Sequence, residues 1–115
     1  MAKFILLLRD DHEGCASLGP EEMQRVIQEY VSWGRRVREK GVTLRGEKLR
    51  DGHGKVLRKP GDRPRATDGP FAETKEVIGG YYEIEAGTLD DVVRLCADHP
   101  QLVNGSIEIR EVEAV

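Results

Sequence analysis

The chain has 115 residues, 38% hydrophobic and 34% charged, enough to bury one core and too few for two domains, so residues 1–115 are expected to form a single domain. These proportions describe a globular protein with a well-charged surface, and two cysteines, Cys15 and Cys96, build no disulfide framework. The net charge of −3 conceals an asymmetry: residues 35–65 hold twelve Lys/Arg against four Asp/Glu, and the remainder holds six against seventeen. A basic middle can attract nucleic acid or anionic ligands. Here its charges are spread over a helix end, a strand and a hairpin with no interleaved aromatics, so a solvated face is expected and nucleic acid is not the expected partner.

At the N-terminus Phe4-Ile5-Leu6-Leu7-Leu8 is too short for a signal h-region or a membrane span and runs straight into charge. A cytoplasmic protein with reduced thiols and no membrane partner is expected. Residues 3–8 read as a strand buried on both faces and therefore central. A loop over 9–19 follows, dense in Asp10, Asp11, His12, Glu13 and Gly14. Pro20 suits the first position of a helix whose first turn gains from Glu21 and Glu22. Met23, Val26, Ile27, Tyr30, Val31, Gly34 and Val37 keep the spacing of one buried stripe. Gly41 caps the end, where Arg35, Arg36, Arg38 and Lys40 suit the helix's negative pole.

Residues 42–50 read as a second strand, 51–54 as a turn and 55–58 as a weak strand; 59–64 is a Pro/Gly-rich loop. A polar decapeptide, 67–76, then runs into a strand over 77–86. There Ile78, Gly80, Tyr82, Ile84 and Ala86 share one face, and Val77, Gly79, Tyr81, Glu83 and Glu85 the other. Thr88 with Asp91 three residues on forms a capping box for a second helix, whose buried stripe is Leu89, Val92, Val93 and Cys96. Pro100 stops that helix, and Ile107 and Ile109 alternate in a last strand.

The order β-α-β-(small hairpin)-β-α-β is the α+β, ferredoxin-like pattern, an antiparallel sheet with both helices on one face. The open face would carry Ile5 or Leu7, Val77 and Tyr81, too apolar to leave wet, so a homodimer formed sheet to sheet is expected. This topology gathers the loops at 9–19, 51–76 and 98–105 at one end and leaves tight turns at the other. A pocket is expected at the loop end.

The run Asp68-Gly69-Pro70-Phe71-Ala72-Glu73-Thr74-Lys75-Glu76, followed by Ile78-Gly79-Gly80-Tyr81-Tyr82, resembles the DGPF signature of the YCII-related proteins. The likeness extends to the Pro20-Glu21-Glu22-Met23 helix start and the ending Gly105-Ser106-Ile107-Glu108-Ile109-Arg110. It implies a dimeric α+β barrel of ferredoxin-like units. It also implies a function poorly defined in the family, whose suspected enzymes carry a His on the first helix and an Asp before the proline that ends the second. Tyr30 and His99 stand at those positions here. The resemblance further implies neighbours among extracytoplasmic-function sigma factors, and with them an accessory role in transcription.

Asp68 is the first site candidate: in Asp-Gly-Pro its carboxylate either caps the turn or, half-buried beside Phe71, serves as an acid/base or ligand-orienting group. Glu73 and Lys75 either pair on the surface or meet a polar ligand. His99, beside Asp98, is either the proton-transfer group or a helix-end histidine on free carbonyls. Tyr30 faces the sheet as core, with a hydroxyl able to reach a ligand. His12, Cys15, Cys96 and His99 form mirrored H-x-x-C and C-x-x-H pairs able in principle to hold zinc, but Cys96 lies on a buried stripe and no metal or cofactor is expected. The reading is a small dimeric protein binding, with or without acid/base conversion, a small polar molecule through Asp68 and His99, with Tyr30, Phe71, Glu73 and Lys75 shaping the site. The alternative is a non-catalytic module contacting a sigma factor or another protein.

Overall fold

In the computed structural model, which describes residues 1–11, 19–68 and 76–115, the apolar N-terminal run forms the central strand β1 (Ala2–Asp11). Helix α1 (Pro20–Glu39) and strand β2 (Thr43–Lys48) follow. Strands β3 (Lys55–Arg58) and β4 (Arg65–Asp68) precede the long β5 (Glu76–Ala86). Helix α2 (Leu89–Cys96), a 3-10 turn (Pro100–Val103) and β6 (Gly105–Glu111) complete the chain. The main sheet has the order β2-β5-β1-β6 with every neighbouring pair antiparallel. The result is a mixed α+β fold, compatible with the ferredoxin-like pattern.

Alternation along β1 sets the layers. Phe4, Leu6 and Leu8 are buried, and they meet Trp33 and Val37 of α1, Val92 and Cys96 of α2, and Leu44 and Ile84 from the flanking strands. Both helices therefore cover one face. On the other face Ile5 and Leu7 are half-buried, Tyr81 is 37% exposed, and ion pairs such as Lys3–Glu83 (2.8 Å) and Arg9–Glu108 (2.9 Å) flank them.

Several expectations are corrected. The β1–β5 register steps from Leu8↔Gly80 to Arg9↔Ile78, leaving Gly79 as an extra residue in β5. Residues directly opposite share a face, so Val77, opposite Asp10, turns to the helix side and Ile78, opposite Arg9, takes its place on the open face. In α1 the buried line runs through Trp33, Gly34 and Val37, while Ile27 and Val31 are 48% and 58% exposed. Trp33 was missing from the expected stripe. It is almost fully buried, and its indole donates to the Leu95 carbonyl (3.0 Å), tying α1 to the end of α2. In α2 only Val92 and Cys96 of the expected four are buried; Leu89 and Val93 are about half exposed. Residues 59–64 are the turn of a hairpin in which β3 pairs with β4, and Thr67 and Asp68 belong to that hairpin and not to a loop.

The helix ends follow the local signals. The Thr88 hydroxyl accepts from Asp91 N (3.1 Å) and the Asp91 carboxylate accepts from Thr88 N (3.0 Å), both halves of a capping box. Gly41 leaves α1 at φ +84°, a conformation that L side chains rarely adopt.

Trp33→Ala is expected to cost about 3–5 kcal/mol in chemical denaturation, and Val31→Ala about 0.5 kcal/mol or less. Equal costs would return Val31 to the buried stripe.

Candidate functional site

The turn after α2 builds a polar cluster beneath the end of the sheet where β1 finishes. Pro100 opens the 3-10 turn, and the preceding His99 caps it: Nδ1 accepts from Gln101 N (2.9 Å). That bond places the ring proton on Nε2, which faces the Tyr82 hydroxyl at 3.2 Å. The imidazole is 2% exposed and ringed by Trp33, Tyr30 and Tyr82, with ring centroids at 4.4, 5.0 and 5.5 Å. Burial pushes the His99 pKa down to about 4, against a weaker upward pull from the Asp98 charge. His99 is therefore neutral at physiological pH. Burial also pushes the Tyr82 hydroxyl up to about 12.

Gln101, 3% exposed, is the hub beside it. Its Oε1 accepts from the Tyr30 hydroxyl, and its Nε2 donates to Asp10 Oδ1 (2.6 Å) and the Arg9 carbonyl (2.9 Å). Two acceptors on one side and a hydroxyl on the other fix which way the amide points. The second Asp10 oxygen lies over the bulge in β5, where a Cβ on Gly79 would come within 2.5 Å of Oδ2. The Gly79 position thus makes room for a carboxylate. Among the described residues no buried side-chain polar atom lacks a partner.

Of the residues expected to form a site, Tyr30 and His99 come together, edge to face. Asp68 does not join them in any described contact: its side chain is 90% exposed at the end of β4 and pairs with Lys55 across the hairpin. Asp98 pairs with Arg36 (3.4 Å). Phe71, Glu73 and Lys75 lie outside the described residues, as do His12 and Cys15. Cys96 is buried in the core, where burial pushes its thiol up to about 11. Among the described residues no group of three or more His, Cys, Asp and Glu is placed to hold a metal ion.

Asp10, Tyr82 and Gln101 were not singled out from the sequence. The signal for Asp10 was the alternation of Phe4, Leu6 and Leu8, which carries one step further onto the helix side. The glycine pair at 79 and 80 marked a close approach in β5. Nothing local marks Gln101, whose partners are distant in sequence.

At the opposite end of the sheet, an open groove of about 410 Å³ runs between Lys40, Val42, Ala86, Asp91, Arg94 and Leu95. Asp91 and Arg94 pair with each other across its wall. The turns at this end are thus not featureless.

Since the folded His99 pKa lies below the ordinary 6.5, the unfolded chain binds a proton between about pH 4 and 6.5 that the folded chain does not. Stability is expected to rise with pH across that window, by roughly 3 kcal/mol in all from this group, and to gain nothing more from it above. The His99 ring resonances should stay in their neutral position down to about pH 5. Titration near 6.5 would contradict the burial.

No curated protein matches the chain. The family model of the YCII-related domain matches residues 2–115, nearly the whole chain, and the protein belongs to that family.

Proposed function

We propose that the protein binds a small polar molecule at the sheet end that carries Asp10 and Tyr30, as a dimer of ferredoxin-like units joined through their open faces into an α+β barrel. The observation that carries this reading is the Tyr30–Gln101–Asp10 relay. A buried amide whose every group is engaged holds a phenol and a carboxylate in fixed positions, and that carboxylate keeps further lone pairs for a ligand. β4 ends at Asp68 and β5 begins at Glu76, opposite Asp11 and next to the register partner of Asp10, and segment 69–75 links the two strands in sequence. Phe71, Glu73 and Lys75 are the residues of that segment assigned to the ligand, and Asp68 stands at its entrance. Asp10 is the group that meets the molecule. His99, neutral and with both ring nitrogens engaged, holds the Gln101 backbone and the Tyr82 hydroxyl in place, so binding is favoured over proton transfer through the imidazole.

The open face supports the dimer. Ile5, Leu7, Ile78 and Tyr81 share it, and the ion pairs beside them give the rim polar partners.

Native mass spectrometry of protein purified without chelator is expected to show a dimer carrying the mass of a small organic compound. Asp10→Asn and Gly79→Ala, the second placing a methyl against the Asp10 carboxylate, should both lose that mass while circular dichroism still reports the fold. A bare wild-type dimer would overturn the ligand reading. A monomer would overturn the open-face pairing.

A further inference from the structure

The β3–β4 hairpin is the part of the described chain that the core does not use. Its strands pair only with each other, Lys55 with Asp68 through Arg58 with Arg65, in a sheet separate from the main one. From 51 to 68 every residue is exposed except the half-buried Val56. The chain is accordingly spread out, with a radius of gyration of 16.1 Å where a compact chain of this length has about 13 Å. It measures 48 × 43 × 18 Å. A two-stranded hairpin alone in water is marginal, and this one holds Leu57 68% exposed, opposite Ala66 on the same face. An ordered surface of this kind is completed by something laid against it.

Charge indicates what that is. Between 55 and 68 the hairpin carries Lys55, Arg58, Lys59, Arg63 and Arg65 against Asp62 and Asp68, the last of which pairs with Lys55. Outside the basic middle the chain is strongly acidic, with exposed carboxylates at Glu21 and Glu22 on α1 and at Glu111 and Glu113 near the C-terminus. The hairpin has no aromatic side chain to stack on a base, and the net charge of −3 opposes approach to a nucleic acid. The surface that best complements the hairpin is the acidic body of another copy of this chain.

We propose that the β3–β4 hairpin is an arm that docks on a second copy, its cations set against that copy's carboxylates and Leu57 covered at the contact. Under two-fold symmetry each dimer contains two such contacts. They add to the open-face pairing and are independent of the ligand site. Because the arm's charges are exposed, the contact weakens with salt.

Isotopically light and heavy copies, mixed equally at low salt and joined by a zero-length carbodiimide cross-linker, test this directly. Lys59 is expected in cross-links to carboxylates of the other isotope, with the yield falling at about 0.5 M NaCl. The triple variant Lys59→Glu, Arg63→Glu, Arg65→Glu should weaken dimerisation about 10- to 100-fold at low salt in sedimentation equilibrium, less at high salt. Cross-links confined to single-isotope products, or an unchanged dissociation constant in the triple variant, would overturn the arm contact. Leu7→Asp strikes the open face alone. A further loss of affinity when the triple variant is combined with Leu7→Asp supports the arm as a separate contact, and an unaffected Leu7→Asp dimer would sink the open-face pairing without touching the arm. Binding of a short DNA duplex at physiological salt that the triple variant abolishes would overturn the second-copy assignment in favour of nucleic acid.

Discussion

The structure depends first on the antiparallel pairing of β1 with β5. β1 lies between β5 and β6, both far from it in sequence, and its side chains Phe4 and Leu6 are entirely buried. With those residues fixed against Ile84 and Tyr82, the helix layer has one floor on which to pack, and Trp33 closes it by filling the space above and bonding to the Leu95 carbonyl. The bulge at Gly79 is the one irregularity in this pairing. It costs ladder regularity, and what it provides is a place for the Asp10 carboxylate on the helix side of the sheet.

The polar cluster depends on that irregularity. Burying an amide and an imidazole is unfavourable unless each group is bonded, and leaving one unsatisfied costs about 1–3 kcal/mol. Here the groups satisfy one another: Tyr30 to Gln101, Gln101 to Asp10 and the Arg9 carbonyl, the Gln101 backbone to His99, and His99 to Tyr82. A closed set of this kind is rigid, because moving one member strands another. Rigidity of this kind is what the proposed binding site at the strand end would require. It also explains why a histidine beside an aspartate carries no charge near neutrality: aromatic burial outweighs the Asp98 field, and that carboxylate is engaged by Arg36.

Charge is distributed with the same economy. The basic residues gather on the C-terminal part of α1, β2 and the hairpin, and the acidic ones on the rest. Ion pairs on the open face are all partly exposed and contribute little to stability singly. In the proposed open-face dimer they would act on which surfaces can meet, since a mixed rim around Leu7 and Tyr81 tolerates a like surface and an unmixed one would not.

Most of the fold was legible in the sequence because it is written in local rules. Pro20 and Gly41 bound α1, Thr88 and Asp91 cap α2, and the apolar run at 4–8 is a central strand. The YCII resemblance could be read from a continuous signature and matches the family to which the chain belongs. What local rules cannot specify is which side of an apolar stripe finds a neighbour: Ile27, Val31, Leu89 and Val93 have the right period and are exposed, while Trp33, off that stripe, is buried against the sheet with Val37, Val92 and Cys96. Nor can they place a bulge, since a single extra residue exchanges the faces of Val77 and Ile78 only after β1 and β5 have paired. The site followed the same division. Tyr30 and His99 could be named from the sequence. Joining them to Asp10, Tyr82 and Gln101 was decided by tertiary structure, because hydrogen bonds between residues about 17 to 91 positions apart exist only once the strands and the α2 turn are packed together.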